Sequence, residues 1–223
     1  MIVDSERYQG IVKEVNAAGV TLVAVSKTKP VEDIQALYDL GQRDFGENYV
    51  QELSEKAAQL PADIRWHFIG HLQTNKVKYI APFVHLIQVV DSWKLLQEID
   101  KQAAKNNRVI DCLLQVHIAR EETKFGLDEK ELDEMITRLG TMPLANIRVR
   151  GLMGMASFVE NGDVIKKEFH FLKTLFDKYS TFLDAGSKTA VRSMGMSSDY
   201  KVAIEQGSNM VRIGSLIFGE RGG

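Results

Sequence analysis

The stretch "TLVAVSKTKP", residues 21–30, reads as a buried strand that runs into a lysine. Thr21 to Val25 are the β-branched and apolar types that fit a pleated, covered surface. Side chains on a strand alternate with period two, so Lys27 falls on the face of Val23 and Val25. "PVEDIQALYDLG" follows, with Pro30 suited to the first turn of a helix and Gly41 to its end. Strand, loop and helix make one βα unit. Two readings of Lys27 stand at this point: an ammonium solvated beyond the strand end, or an amine aimed at a ligand.

The same alternation continues along the chain. β-Branched or apolar runs recur at 43–47, 65–70, 85–90, 111–117, 147–155, 190–196 and 209–214, which with 21–26 makes eight strands. Helical periodicity appears between them. "SWKLLQEIDKQAAKNN" opens on the N-cap residue Ser92, and "DEKELDEMITRLG" runs from a cap at Asp128 to a stop at Gly140. The segment from Asp163 carries a stripe through Ile165, Phe169, Leu172 and Phe176. A helix ahead of the first strand places Tyr8, Ile11, Val12 and Val15 on one side and ends near Gly19.

Eight strands alternating with helices predict an α/β protein with a parallel sheet, and eight is the number that closes a (β/α)8 TIM-type barrel. The expected organisation is one barrel domain over residues 1–223, with the N-terminal helix covering what a short eighth unit leaves open. A doubly wound open sheet is the competing arrangement.

Composition narrows the function. A net charge of -2 gives no reason to expect nucleic acid or an anionic membrane as partner. The single Cys112, inside the apolar run "CLLQV", excludes an internal disulfide and reads as an inert buried thiol. There is no run of about 18 apolar residues and no signal-like N-terminus, so a cytoplasmic protein is expected.

In such barrels the site forms from the loops at the C-terminal ends of the strands. Lys27, Asn48, His71, Asn75, Lys124, Met155, Ser197, Ser198, Arg212, Gly214 and Ser215 all fall there, with His67 inside the third strand. "GMSSD" (195–199) and "RIGS" (212–215) combine small residues with hydroxyls after strands 7 and 8. Each alone suits an ordinary turn or cap. Together, at the position where barrels commonly hold phosphate, they point to an anion site. A lysine facing a phosphate cradle matches the needs of pyridoxal 5′-phosphate, whose aldehyde takes an amine and whose ring nitrogen takes a partner. Partial burial and the neighbouring Lys29 would favour a neutral Lys27 amine. Arg212 has the parity of Gly214 and is the candidate for the ring nitrogen. As a permanent cation with donors only, it would keep that nitrogen unprotonated and the ring a weaker electron sink.

The segments "VAVSKTKP", "FGENYVQE", "WHFIGHLQTNK", "RGLMGMA", "SMGMSSD" and "VRIGSLIFGER" together resemble the pyridoxal phosphate homeostasis proteins, single-domain relatives of the N-terminal barrel of alanine racemase. The likeness runs from about residue 21 to 221. It implies that Lys27 bears the cofactor as an internal aldimine, that Ser197, Gly214 and Ser215 hold the phosphate, and that Arg212 meets the ring nitrogen. It places Asn48, His67 and Met155 around the ring. Lys124 matches a family lysine, a candidate secondary cofactor or relay site.

The resemblance also implies a carrier acting in intracellular cofactor homeostasis, buffering, delivering or protecting the cofactor, with pyridoxal-phosphate-dependent apoenzymes as acceptors and a monomeric state. Alanine racemases carry a second, β-rich domain, and a tyrosine base from the partner subunit. No such domain is expected after this barrel, and with it little or no amino-acid turnover. The alternative is a racemase or related enzyme, with Tyr49 or His67 as its second base. A Schiff-base aldolase lacks a clear proton-relay pair. No metal site is expected, since His67 and His71 are four apart without a helix to put them on one face.

Overall fold

The computed structural model describes residues 3–119, 125–183 and 190–219. Eight parallel strands follow the order of the sequence around a closed barrel. They are β1 (Thr21–Val25), β2 (Asp44–Glu47), β3 (Arg65–Phe68), β4 (Leu86–Val90), β5 (Ile110–Val116), β6 (Ile147–Gly154), β7 (Val191–Ser193) and β8 (Met210–Ile213). Closure is made by β8 on β1, with Thr21 opposite Met210 and Val23 opposite Arg212. The open-sheet alternative is therefore excluded.

Period-two alternation sorts the strand residues. Val23, Gly46, His67, Gln88 and Arg212 share the inner face, while Leu22, Ala24, Phe45, Phe68 and Ile87 lie buried under the helical layer. The helices are α1 (Ser5–Ala17), α2 (Val31–Asp39), α3 (Val50–Ala57), α4 (Val77–Ile80), α5 (Trp93–Lys105), α6 (Glu129–Thr141), α7 (Gly162–Lys178), α8 (Tyr200–Glu205) and α9 (Ser215–Phe218). The core stripe of α7 runs through Phe169, Leu172, Leu175 and Phe176, with Ile165 only half-buried at its start.

Local chemistry sets several boundaries. The Ser92 hydroxyl accepts from the Leu95 amide, and Asp128 and Glu131 form a reciprocal capping box. Pro30 is the N-cap of α2 rather than its first helical residue. Gly140 does not stop α6, which runs on to Thr141 because the exposed glycine is compatible with one more turn residue. The sequence reading found no helix at α3, α4, α8 or α9. Helix α1 packs on α9 and β1, and the Tyr200 hydroxyl at α8 donates to Glu14 Oε2 at 2.9 Å. It thus covers the seam left by the short last unit. No helix of the described residues is long and apolar enough to cross a membrane.

Candidate functional site

Lys27 stands two residues beyond the end of β1, in a turn fixed from both sides. The Ser26 amide donates to the Gly46 carbonyl at 3.0 Å, and the Lys29 amide donates back to the Ser26 carbonyl at 3.0 Å. Thr28 adopts φ 62°, a left-handed conformation that a β-branched residue adopts only under constraint. The constraint is a buried ionic cluster under the turn. Lys56 Nζ donates to Glu47 Oε1 and Glu52 Oε1, both at 2.7 Å, and to the Ser26 carbonyl at 2.8 Å. Ser26 Oγ donates to Glu47 Oε1 at 2.6 Å, and Glu52 Oε1 accepts the Thr28 amide. Burial pushes the Glu47 carboxyl above its ordinary range, against the pull of the Lys56 charge.

On the opposite side, Gly195 takes φ 99° and turns the chain from β7 into the loop that carries Ser197. A Cβ there would lie 2.6 Å from that of Ala203. The Met196 amide donates to Asp199 Oδ1 at 2.6 Å, and the Gly214 amide donates to Ser197 Oγ at 3.2 Å, joining the two small-residue loops. A Cβ on Gly214 would press on Val25 at 3.3 Å. The first-turn amides of α9, Ser215 and Leu216, have no carbonyl one turn back within the helix to receive them.

These elements enclose a cavity of about 490 Å³ at the C-terminal mouth of the barrel. Lys27, Asn48, Met155, Ser197, Arg212, Gly214 and Ser215 all line it, so seven of the eight expected cofactor residues converge. His67 does not. Its Nε2 is 3.0 Å from Asp44 Oδ1 and its Nδ1 is 2.9 Å from Gln88 Nε2, which pin the ring deep in the barrel, against a second cavity at the far mouth. It lies inside the third strand, as expected, but away from the residues expected beside it around the ring. Lys124 lies outside the described residues. Tyr49 is exposed at the start of α3, and His71 stacks on Phe125 at 4.4 Å; neither lines the cavity.

The lining has a one-sided chemistry. Among the described residues it holds three basic side chains, Lys27, Lys29 and Arg212, and no carboxylate, histidine or tyrosine. Val25, Ile69, Met155, Met196 and Phe158 supply apolar surface between them. Lys29 Nζ is tied to the Phe218 carbonyl at 3.2 Å. Arg212 is 3% exposed, with Nη1 donating to Ser193 Oγ at 2.6 Å and Nη2 to the Gly154 carbonyl at 3.1 Å. Burial lowers its pKa to about 10, which leaves it cationic at neutral pH. Asn48 Oδ1 is buried with no hydrogen-bond partner among the described residues. An orphaned acceptor of this kind costs about 1–3 kcal/mol until a ligand donor or water meets it.

Sequence reasoning missed the Glu47, Glu52 and Lys56 cluster that shapes the Lys27 turn. A glutamate ending the buried run "DFGE" was its available signal, since a buried charge calls for a partner.

Fold and site together define a barrel protein with a cationic, partly apolar cavity around a strand-end lysine. Residues 5–222 match the family model described as alanine racemase, N-terminal domain. A pyridoxal phosphate homeostasis protein of Aquifex aeolicus is 43% identical over 90% of this chain and 86% of its own length. PipY of Synechococcus elongatus PCC7942 is 32% identical, with TM-scores of 0.88 in its structure without PLP and 0.85 in that with PLP bound. Each PipY comparison covers 96% of this chain and 99% of PipY. The chain belongs to the pyridoxal phosphate homeostasis protein family, within the alanine racemase N-terminal domain fold.

Proposed function

We propose that this barrel binds pyridoxal 5′-phosphate on Lys27 and serves its intracellular homeostasis as a carrier rather than as an amino-acid enzyme. The observation that carries the reading is the convergence of Lys27, Arg212 and the paired loops of Ser197 and Gly214 in one cavity with no carboxylate among the described residues. The group fits these residues: an anion suits the cation set, a flat ring suits the apolar walls, and the orphaned Asn48 Oδ1 suits a ligand donor.

Bound pyridoxal 5′-phosphate supplies an aldehyde and an electron-withdrawing ring. Lys27 presents the amine, on a turn held by Lys56. Ser197, Gly214 and Ser215 would hold the phosphate with a hydroxyl and backbone amides. Arg212 would face the ring nitrogen and, having donors only, would leave it unprotonated. Met155 and Asn48 would line the ring pocket. A second base, which racemisation requires, is missing from the described lining, because Tyr49 and His67 sit elsewhere. That supports little or no turnover; the reading further takes PLP-dependent apoenzymes as acceptors, a monomeric state, a cytoplasmic location and one barrel domain over residues 1–223, each of which stands as a proposal. Lys124 remains a candidate secondary or relay site.

The test is the visible absorbance of protein loaded with the cofactor, which Lys27→Ala should abolish. Wild-type protein that stays colourless with added pyridoxal 5′-phosphate would overturn the reading. Rapid deuterium exchange at Cα across an amino-acid panel would favour the enzyme alternative.

A further inference from the structure

The barrel interior between its two mouths carries a polar layer among its apolar side chains, where aliphatic filling is usual. His67, Gln88, Ser193 and Arg212 are each at most 3% exposed, and Asp44 is buried beside them. They form one continuous chain. Arg212 Nη1 donates to Ser193 Oγ, Ser193 Oγ donates to Gln88 Oε1 at 2.6 Å, and Gln88 Nε2 lies 2.9 Å from His67 Nδ1. His67 Nε2 then meets Asp44 Oδ1 at 3.0 Å, and Arg65 grips both oxygens of the same carboxylate, Nε donating to Oδ1 at 2.8 Å and Nη2 to Oδ2. Stability alone does not call for this layer, since well-packed apolar residues serve a core at least as well as buried polar networks.

The direction of the chain is fixed at one end. Arg212 has donors only, so Ser193 Oγ accepts from it and turns its own proton to Gln88 Oε1. The Gln88 amide N–H2 therefore faces both His67 Nδ1 and Met210 Sδ, the latter at 3.3 Å. Nδ1 must be the unprotonated nitrogen, and the proton sits on Nε2, donating to Asp44. A second proton on His67 would set an Nδ1–H against an N–H2 donor. Relief requires the Gln88 amide to turn over, which puts a second donor on Ser193 and leaves the Ser193 proton without its acceptor. Arg212 is the next residue in line.

We propose that Ser193, Gln88 and His67 are positioning residues: a directional relay that sets the Arg212 guanidinium from the far mouth of the barrel and transmits the protonation of His67 to the cofactor's ring nitrogen. The far mouth is a cavity of about 310 Å³, so solvent protons have a route to the His67 end. The charged and titratable groups facing His67 there are Asp44 on β2, Arg65 on β3, His85 ahead of β4, Asp111 on β5 and Arg150 on β6. The proposal rests on the cofactor reading for its outcome at the ring, but not for the relay itself.

Two measurements test it separately. Long-range 1H–15N spectra of the cofactor-free protein near pH 7.5 should show His67 as the neutral Nε2–H tautomer; an Nδ1–H tautomer or a charged ring overturns the relay. Protein loaded with pyridoxal 5′-phosphate should show a reversible spectral change with pH whose midpoint coincides with that of the His67 ring signals. Gln88→Leu and Ser193→Ala should uncouple the two, and the second, smaller change serves if the first does not fold. Gln88→Glu places a carboxylate against Nδ1 and should raise the midpoint by at least about one pH unit. A spectral profile unaltered in a folded uncoupling variant overturns the proposal. Failure of the wild type to take up cofactor would strike the cofactor reading, while the tautomer still decides the relay.

Discussion

Lys56→Met removes one ammonium from the cluster beneath the Lys27 turn. The side chain is 6% exposed and Glu47 is fully buried, so water cannot replace what is lost. Three hydrogen bonds disappear, and the Glu47 carboxylate keeps only the Ser26 hydroxyl, with Oε2 already unpartnered. Breaking a buried pair by removing one partner costs about 3–5 kcal/mol. For a chain of this size each kcal/mol moves the midpoint by about 2–4 °C, so Tm should fall by roughly 6–20 °C. The exposed pair Lys130–Glu134 is the control, and Lys130→Met should move Tm by about 1–2 °C at most.

The pH dependence has a definite sign. The Glu47 carboxyl is raised by burial and held back by Lys56; without Lys56 it rises further. A carboxyl whose folded pKa lies above its unfolded value contributes stability that is full below the unfolded value and lost as pH rises through the folded one. The deficit of Lys56→Met should therefore be largest near pH 8 and shrink towards pH 5. Adding Glu47→Gln removes the stranded charge and should recover part of the loss. Thermal unfolding across that pH range is the assay. A fall in Tm below about 2 °C, a deficit that grows in acid, or a double variant worse than the single would refute the reasoning.

Gly195→Ala combines a left-handed backbone with a near-collision at Ala203 and should lower stability by about 2–4 kcal/mol in urea unfolding, with weaker uptake of pyridoxal 5′-phosphate through the displaced Ser197 loop. A loss under about 1 kcal/mol would show that the turn adapts. Cys112 is fully buried, and burial pushes its thiol far above the ordinary range, so a disulfide reagent at pH 8 should modify it only as fast as the chain unfolds. Rapid modification of folded protein would refute that placement.

The eight strands were legible because parallel strands covered on the barrel's outside read as short β-branched runs between helical stripes. The unrecognised helices were beyond periodicity. Helices α4, α8 and α9 span four to six residues, and the buried face of α3 contains Lys56, which interrupts its apolar stripe. Lys27 and Arg212 were found by parity, which fixes the face a side chain takes. Parity does not fix depth. His67 shares the inner face, yet its partners Asp44 and Gln88 hold it away from the cavity, and those partners come from other strands. The Lys56 cluster was hidden for the same reason, because the turn it supports lies about 30 residues earlier in the chain.

The barrel closes by pairing β1 with β8, and the candidate site straddles that seam, taking Lys27 from one edge and Arg212, Gly214 and Ser215 from the other. During synthesis the lysine emerges first and waits for some 185 residues before its counterparts exist. No chain cut short of β8 can assemble the cavity, however well its early βα units form. A ligand that binds only the closed ring stabilises that state by mass action. Uptake of a small molecule at this mouth would thus report that the last strand has been made and has closed on the first, and ligand supplied then would favour the closed ring over open, aggregation-prone forms of the same chain.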